Sequence, residues 1–180
     1  MASVSLVSRY AFNKGSTVTS TDRVAVSRIV DASAADVFRF VTNPKSHVEI
    51  DGSGMLQAAP NSRHLEAVGD TFEMDMDREP LGDIPLGKYK VRNTVTKIVP
   101  DTLLEWNVGG MDRPPLGHVY GWEITPVGDE KTEVTNYCDW SDFDPSGLPE
   151  QMRDRVKFPV VPVTMMEKSV ENLARLVTQA

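Results

Sequence analysis

The sequence predicts an α+β fold in which an antiparallel sheet closes around one long C-terminal helix. Three observations carry that expectation. Residues 162–178 repeat Met166, Val170, Leu173 and Val177 at helical spacing, with Glu167, Lys168, Glu171, Asn172 and Arg175 on the opposite side. The stretches between Thr71 and Trp140 are short, rich in β-branched and aromatic residues, and divided by Gly, Pro and Asp. Strands and helices do not alternate regularly, which sets the chain apart from doubly wound parallel sheets. Burying the four helix side chains is worth roughly 1.5–3 kcal/mol each, so this helix needs a large apolar surface to lie against.

Taken in order, residues 22–30 read as a first strand from their β-branched content. Ser33 followed by Asp36 is an N-cap with an acid three residues on. It opens a short helix whose Val37, Phe38, Phe40 and Val41 form one face. Asn43-Pro44 stops that helix, and residues 46–50 suggest a second short helical turn before the loop Asp51-Gly52-Ser53-Gly54. Residues 55–59 read as a short or irregular strand. Residues 71–76 alternate, with Phe72, Met74 and Met76 on one face and Thr71, Glu73 and Asp75 on the other. After a loop over 77–87, residues 89–99 and 102–108 form a hairpin across Pro100-Asp101, and 109–115 is a Gly/Pro loop. Residues 118–125 and 132–140 are the last strands, joined by a turn over 127–131. Residues 141–158 are punctuated by Pro and Gly, with one helical turn near 150–155.

Composition bounds the function. The 180 residues fit one domain with a hydrophobic core, expected over 22–180. A net charge of −7 with no Lys/Arg-rich stripe argues against nucleic acid as a partner. The single cysteine, Cys138, excludes an intramolecular disulfide and suits a reducing, cytoplasmic setting. No apolar run approaches the length of a membrane span. Residues 1–21 carry Arg9 and Lys14, no acid and many Ser and Thr. They faintly resemble an organellar transit peptide and equally suit a loosely held tail or an added edge segment, and no function is assigned to them.

The order of these elements resembles the START-like, or SRPBCC, superfamily with its helix-grip fold. The residues that carry the resemblance are Val26-Ser-Arg-Ile-Val-Asp-Ala32, Asp36-Val37-Phe38, Glu49-Ile-Asp-Gly-Ser-Gly54 and Met166-Glu-Lys-Ser-Val-Glu-Asn-Leu-Ala-Arg175. They look like bacterial members described as polyketide cyclase/dehydrase and lipid-transport proteins, and the likeness covers residues 22–180. It implies a curved sheet wrapped around the C-terminal helix, two short helices near the N-terminus, and a cavity between sheet and helix that takes lipids, polyketides or other apolar ligands. The superfamily shares no single catalytic signature, so no catalytic residue is carried over.

Period-two alternation places His118, Tyr120, Trp122 and Ile124 on one face. In a pocket, His118 and Tyr120 could orient a ligand carbonyl or serve as acid and base. The ordinary reading puts His118 at the open sheet end and Tyr120 in the core with its hydroxyl satisfied. Leu104, Trp106 and Val108 share a face, as do Tyr89, Val91, Asn93 and Val95, and also Val134, Asn136, Cys138 and Trp140. Asn93 and Asn136 would then be polar groups in an apolar wall, suited either to ligand recognition or to cross-strand hydrogen bonding. A slip of one residue would invert every assignment.

Other constellations are weaker. His47 and Asp51 lie four apart and suggest a metal or acid–base pair, but no second ligand pair accompanies them. The favoured reading is a solvated helix end beside the cavity mouth. His64 reads as surface, Cys138 as a small buried residue, and Glu73, Asp75 and Asp77 as the wet side of the sheet. Asp139, Asp142 and Asp144 fail the calcium-loop pattern, and Gly52/Gly54 and Gly109/Gly110 make no nucleotide fingerprint. No metal or cofactor is expected. The expected partner is a hydrophobic small molecule, held by Phe72, Met74, Asn93, Trp106, His118, Tyr120, Trp122, Asn136, Met166 and Val170, with a homodimer left open. Two alternatives accompany this reading. One is a polyketide cyclase/dehydratase-like enzyme using His118 and Tyr120. The other is a protein-interaction module without a ligand, which would have a filled core and an exposed apolar patch.

Overall fold

The structure, a computed structural model, describes residues 15–179. Strand β1 (Ser16–Thr19) runs antiparallel to β2 (Arg23–Val30), so part of the N-terminal segment is an added edge of the sheet. Helices α1 (Ala34–Val41) and α2 (Pro44–Ile50) follow, and then β3 (Leu56–Ala58), β4 (Thr71–Asp77), β5 (Lys88–Val99) and β6 (Leu103–Gly110). Strands β7 (Val119–Gly128) and β8 (Lys131–Asp139), the short helix α3 (Glu150–Arg153) and the long helix α4 (Val163–Val177) complete the chain. All eight strands join one curved antiparallel sheet in the order β1-β2-β8-β7-β6-β5-β4-β3. The pairing of β2 with β8 brings the start and end of the sheet together.

Local chemistry explains the boundaries. The Ser33 hydroxyl accepts from the Asp36 amide at 3.1 Å and donates to its carboxylate at 2.6 Å, which caps α1. Pro44, read as a stop, is also the first residue of α2, where its missing N–H is no loss, and Asn43 caps it by accepting from the Lys45 amide at 3.2 Å. The helix therefore begins two residues earlier than expected. Gly109 and Gly110, expected in a loop, extend β6.

Alternation sets the two faces of the sheet. Met74, Leu104, Ile124 and Val134 are buried on the concave side with Met166, Val170 and Leu173 of α4. On the convex side Arg92 pairs with Glu73 at 2.9 Å and Lys90 with Asp75, the wet face expected of β4. The convex face also holds a buried cluster that alternation did not predict. The Tyr137 hydroxyl donates to Glu105 at 2.7 Å across Gly121, and Arg23 lies 4.3 Å from the Tyr137 ring centroid. A Cβ at Gly121 would overlap the Tyr137 ring, so the phenol covers the space that a missing side chain leaves.

The end of α2 is tied to α4. The Gly52 amide donates to Ser169 Oγ at 2.9 Å, and Asn172 Nδ2 donates to the Ile50 carbonyl at 3.0 Å. A side chain at Gly52 would overlap the Met165 carbonyl oxygen and the Lys168 Cβ, so α4 approaches as closely as it does only because residue 52 has none. Among the described residues no helix is long and apolar enough to cross a membrane.

Candidate functional site: a cavity between sheet and helix

The concave face does not fill against α4. A cavity of about 320 Å³ remains, within the range of small-molecule sites. The sheet supplies Phe72 and Met74 from β4, Asn93 from β5, Trp106 from β6, Tyr120 and Trp122 from β7 and Asn136 from β8, and α4 supplies Met166. His118, one residue before β7, lines it as well. Thus nine of the ten side chains singled out in the sequence meet around one space. Val170 does not, because one turn beyond Met166 it packs into the core beside Val26 of β2 and is only 1% exposed.

His47 corrects the reading of a solvated helix end. It is buried, and its Nε2 donates to the Val41 carbonyl at 2.6 Å, so in the neutral ring Nδ1 carries the lone pair. Its ring lies 5.0 Å from Trp106 and edge-on to Phe72 at 5.5 Å, and it lines the cavity. Asp51 makes no pair with it. The carboxylate instead accepts from the Ser53 amide and hydroxyl and from the Leu56 amide at 2.9 Å, 2.6 Å and 2.9 Å, holding the loop after α2. A signal for His47 was present: Lys45 and Glu49 are the exposed residues of α2, which leaves His47 and Ile50 on its inner face.

Aromatic rings continue across the floor. Trp106 stacks on Tyr120 at 6.4 Å, Tyr120 meets His118 edge-on at 6.0 Å, and His118 tilts against Phe158 at 5.3 Å. Phe158 and Phe143 come from the segment between β8 and α4, which closes this end of the cavity with Leu148, Met152 and Val161. Periodicity could not find these residues, because that segment has no repeating pattern. At the other wall stand Arg78, Ile84 and Leu86, from the turn between β4 and β5.

Burial keeps the cavity's imidazoles and phenols uncharged. Desolvation lowers His47 to about 4, its carbonyl hydrogen bond opposing only in part, and it lowers His118 likewise to about 4. Tyr120 is raised well above the ordinary phenol value by desolvation and then by the neighbouring Cys138 thiol, which is itself pushed up to about 12. Burial also raises Tyr89. His118 Nδ1 is buried without a partner, whereas Asn136 Nδ2 donates to the Gly121 carbonyl at 3.1 Å. At pH 7 the cavity therefore offers neutral hydrogen-bonding groups in an apolar wall. Of the charged liners among the described residues, Asp51 is held by the Ser53 and Leu56 amides, and Arg78 gives two of its N–H donors to Asp83.

Known proteins share this fold. A Mycobacterium tuberculosis protein described as uncharacterized, Rv0088, is 34% identical over 118 residues, 66% of this chain and 47% of that protein. A counterpart from another strain, MT0096, is 33% identical over the same share of each chain. The matched stretch thus spans about half the length of these curated relatives. Among solved structures, a protein from Arthrobacter aurescens superposes with a TM-score of 0.62 at 17% identity, covering 92% of each chain. The protein Ms6760 from Mycobacterium smegmatis gives 0.59 at 13%, covering 93% of this chain and 98% of that one. At these identities the superpositions establish the shared fold. Residues 21–178, from β2 through α4, match the sequence model of one family, and the chain belongs to that family, described as polyketide cyclase/dehydrase and lipid transport.

Proposed function

We propose that this protein binds a small or medium-sized apolar molecule, a lipid, a polyketide or a compound of similar character, in the cavity between the sheet and α4. The observation that carries the reading is an apolar cavity whose imidazoles and phenols are all held uncharged near neutral pH. Such a wall solvates ions poorly and rewards apolar area, with a few polar groups left to orient what enters. Titration with an uncharged naphthylamine dye, followed by the emission of Trp106 and Trp122, tests it. Trp106→Leu and Trp122→Leu should each weaken the dye by about tenfold, roughly 1.4 kcal/mol, while thermal melting shows the fold retained. Unchanged dye affinity in both folded variants would show that the ligand lies elsewhere.

One observation favours a second reading, that of a cyclase or dehydratase using His118 and Tyr120. The partnerless His118 Nδ1 is the kind of buried polar atom that calls for an explanation. Against it, an imidazole held near 4 is a weak base at neutral pH, and a phenol held high donates hydrogen bonds more readily than protons. Turnover of a polyketide-like substrate that survives His118→Ala combined with Tyr120→Phe would remove this mechanism.

A further inference from the structure

Arg78 is the one cation on the cavity wall among the described residues, and it is only 8% exposed. Its Nε and Nη2 donate to the two carboxylate oxygens of Asp83 at 2.9 Å and 2.6 Å. Asp83 itself does not line the cavity. Its side chain is 42% exposed, and Oδ1 also accepts from the Ile84 amide at 2.7 Å, which fixes the carboxylate to its own turn. The guanidinium thus has its back to an anion on the solvent side and its front in the cavity, where Tyr89 lies beside it. A guanidinium carries five N–H donors and no acceptor, so two hydrogen bonds to Asp83 do not exhaust it.

We propose that Arg78 and the Tyr89 hydroxyl receive an uncharged oxygen acceptor at the polar end of the ligand, the carbonyl of a ketone, ester or amide, and that Asp83 makes this subsite reject carboxylates. The proposal rests on the binding function above and names the ligand's polar group. Charge decides between the two kinds of acceptor. A ligand carboxylate would set a second full negative charge against Asp83 on one guanidinium, in a wall too apolar to screen the repulsion. A carbonyl accepts from the remaining N–H groups and leaves the Arg78–Asp83 pair intact. Replacing the arginine with lysine would not preserve this arrangement, because one ammonium cannot face both ways as a planar fork does.

The test compares methyl laurate, laurate and dodecane at pH 7, each displacing the uncharged naphthylamine dye. Wild-type protein should bind methyl laurate at least about tenfold more tightly than either of the others. Arg78→Met should abolish the advantage of the ester over the alkane. Asp83→Asn, which removes only a half-exposed carboxylate, should tighten laurate by about tenfold and change the ester little, and it carries the test if Arg78→Met does not fold. Equal binding of ester and acid by the wild type, an ester advantage that survives Arg78→Met, or laurate unmoved by Asp83→Asn would each overturn the assignment. If the dye does not bind, or none of the three compounds displaces it, the cavity-binding reading fails and this assignment falls with it. Binding of all three compounds with equal affinity overturns the Arg78 assignment alone.

Discussion

His47 shows how one side chain links folding to the cavity. Its imidazole is about 6.5 in the unfolded chain and about 4 when folded, so between those values the unfolded state binds more protons. The stability it allows is fully present above pH 6.5 and is lost as pH falls toward 4. At about 1.4 kcal/mol per pH unit, His47 alone should cost the fold about 2.5 kcal/mol between pH 7 and pH 4.5. In His47→Gln the difference between urea denaturation at those two pH values should shrink by that amount, since the carboxylates contribute equally to both proteins. An unchanged difference would mean that the ring is hydrated when folded. The sequence gives little warning of this behaviour. Histidine marks no burial by itself, and only the outward-facing Lys45 and Glu49 reveal which side of α2 it occupies.

At the scale of elements, the sheet was legible and the closing segments were not. Alternation placed Trp106, Tyr120, Trp122, Asn93 and Asn136 on the concave face because a sheet with one wet side enforces strict period two. The helical stripe identified α4 but not its rotation against the sheet. Met166 turns to the cavity while Val170 turns to β2, a distinction set by the contact at Gly52 and not by hydropathy. That contact can be tested. A methyl group at residue 52 meets the α4 backbone instead of a movable side-chain end, so Gly52→Ala should destabilise the fold by about 3 kcal/mol in urea denaturation, the upper range for overpacking. A loss below about 0.5 kcal/mol would show that α4 is free to slide.

Across the whole molecule, the sheet is larger than α4 alone can cover. Strands β4 to β6 extend beyond the helix, and the turn carrying Arg78 and the segment carrying Phe143 and Phe158 cap the space left over. Both pieces read in the sequence as loops, over 77–87 and 141–158, but their capping role is not visible there. Their roles come from long-range closure, Asp144 donating its amide to the Leu116 carbonyl at 2.8 Å and Arg78 donating its own to Gly87 at 2.9 Å, and not from any local pattern. The result is a half-open, largely apolar volume that a filled core would not contain, and the central claim is that something apolar belongs there. Native mass spectrometry of the protein purified from its own host, before and after organic extraction, measures this directly. The binding function predicts an uncharged small-molecule adduct that extraction removes and that Trp106→Leu carries in smaller amount. A bare protein mass before extraction, in a preparation that also fails to bind the uncharged dye, would contradict it.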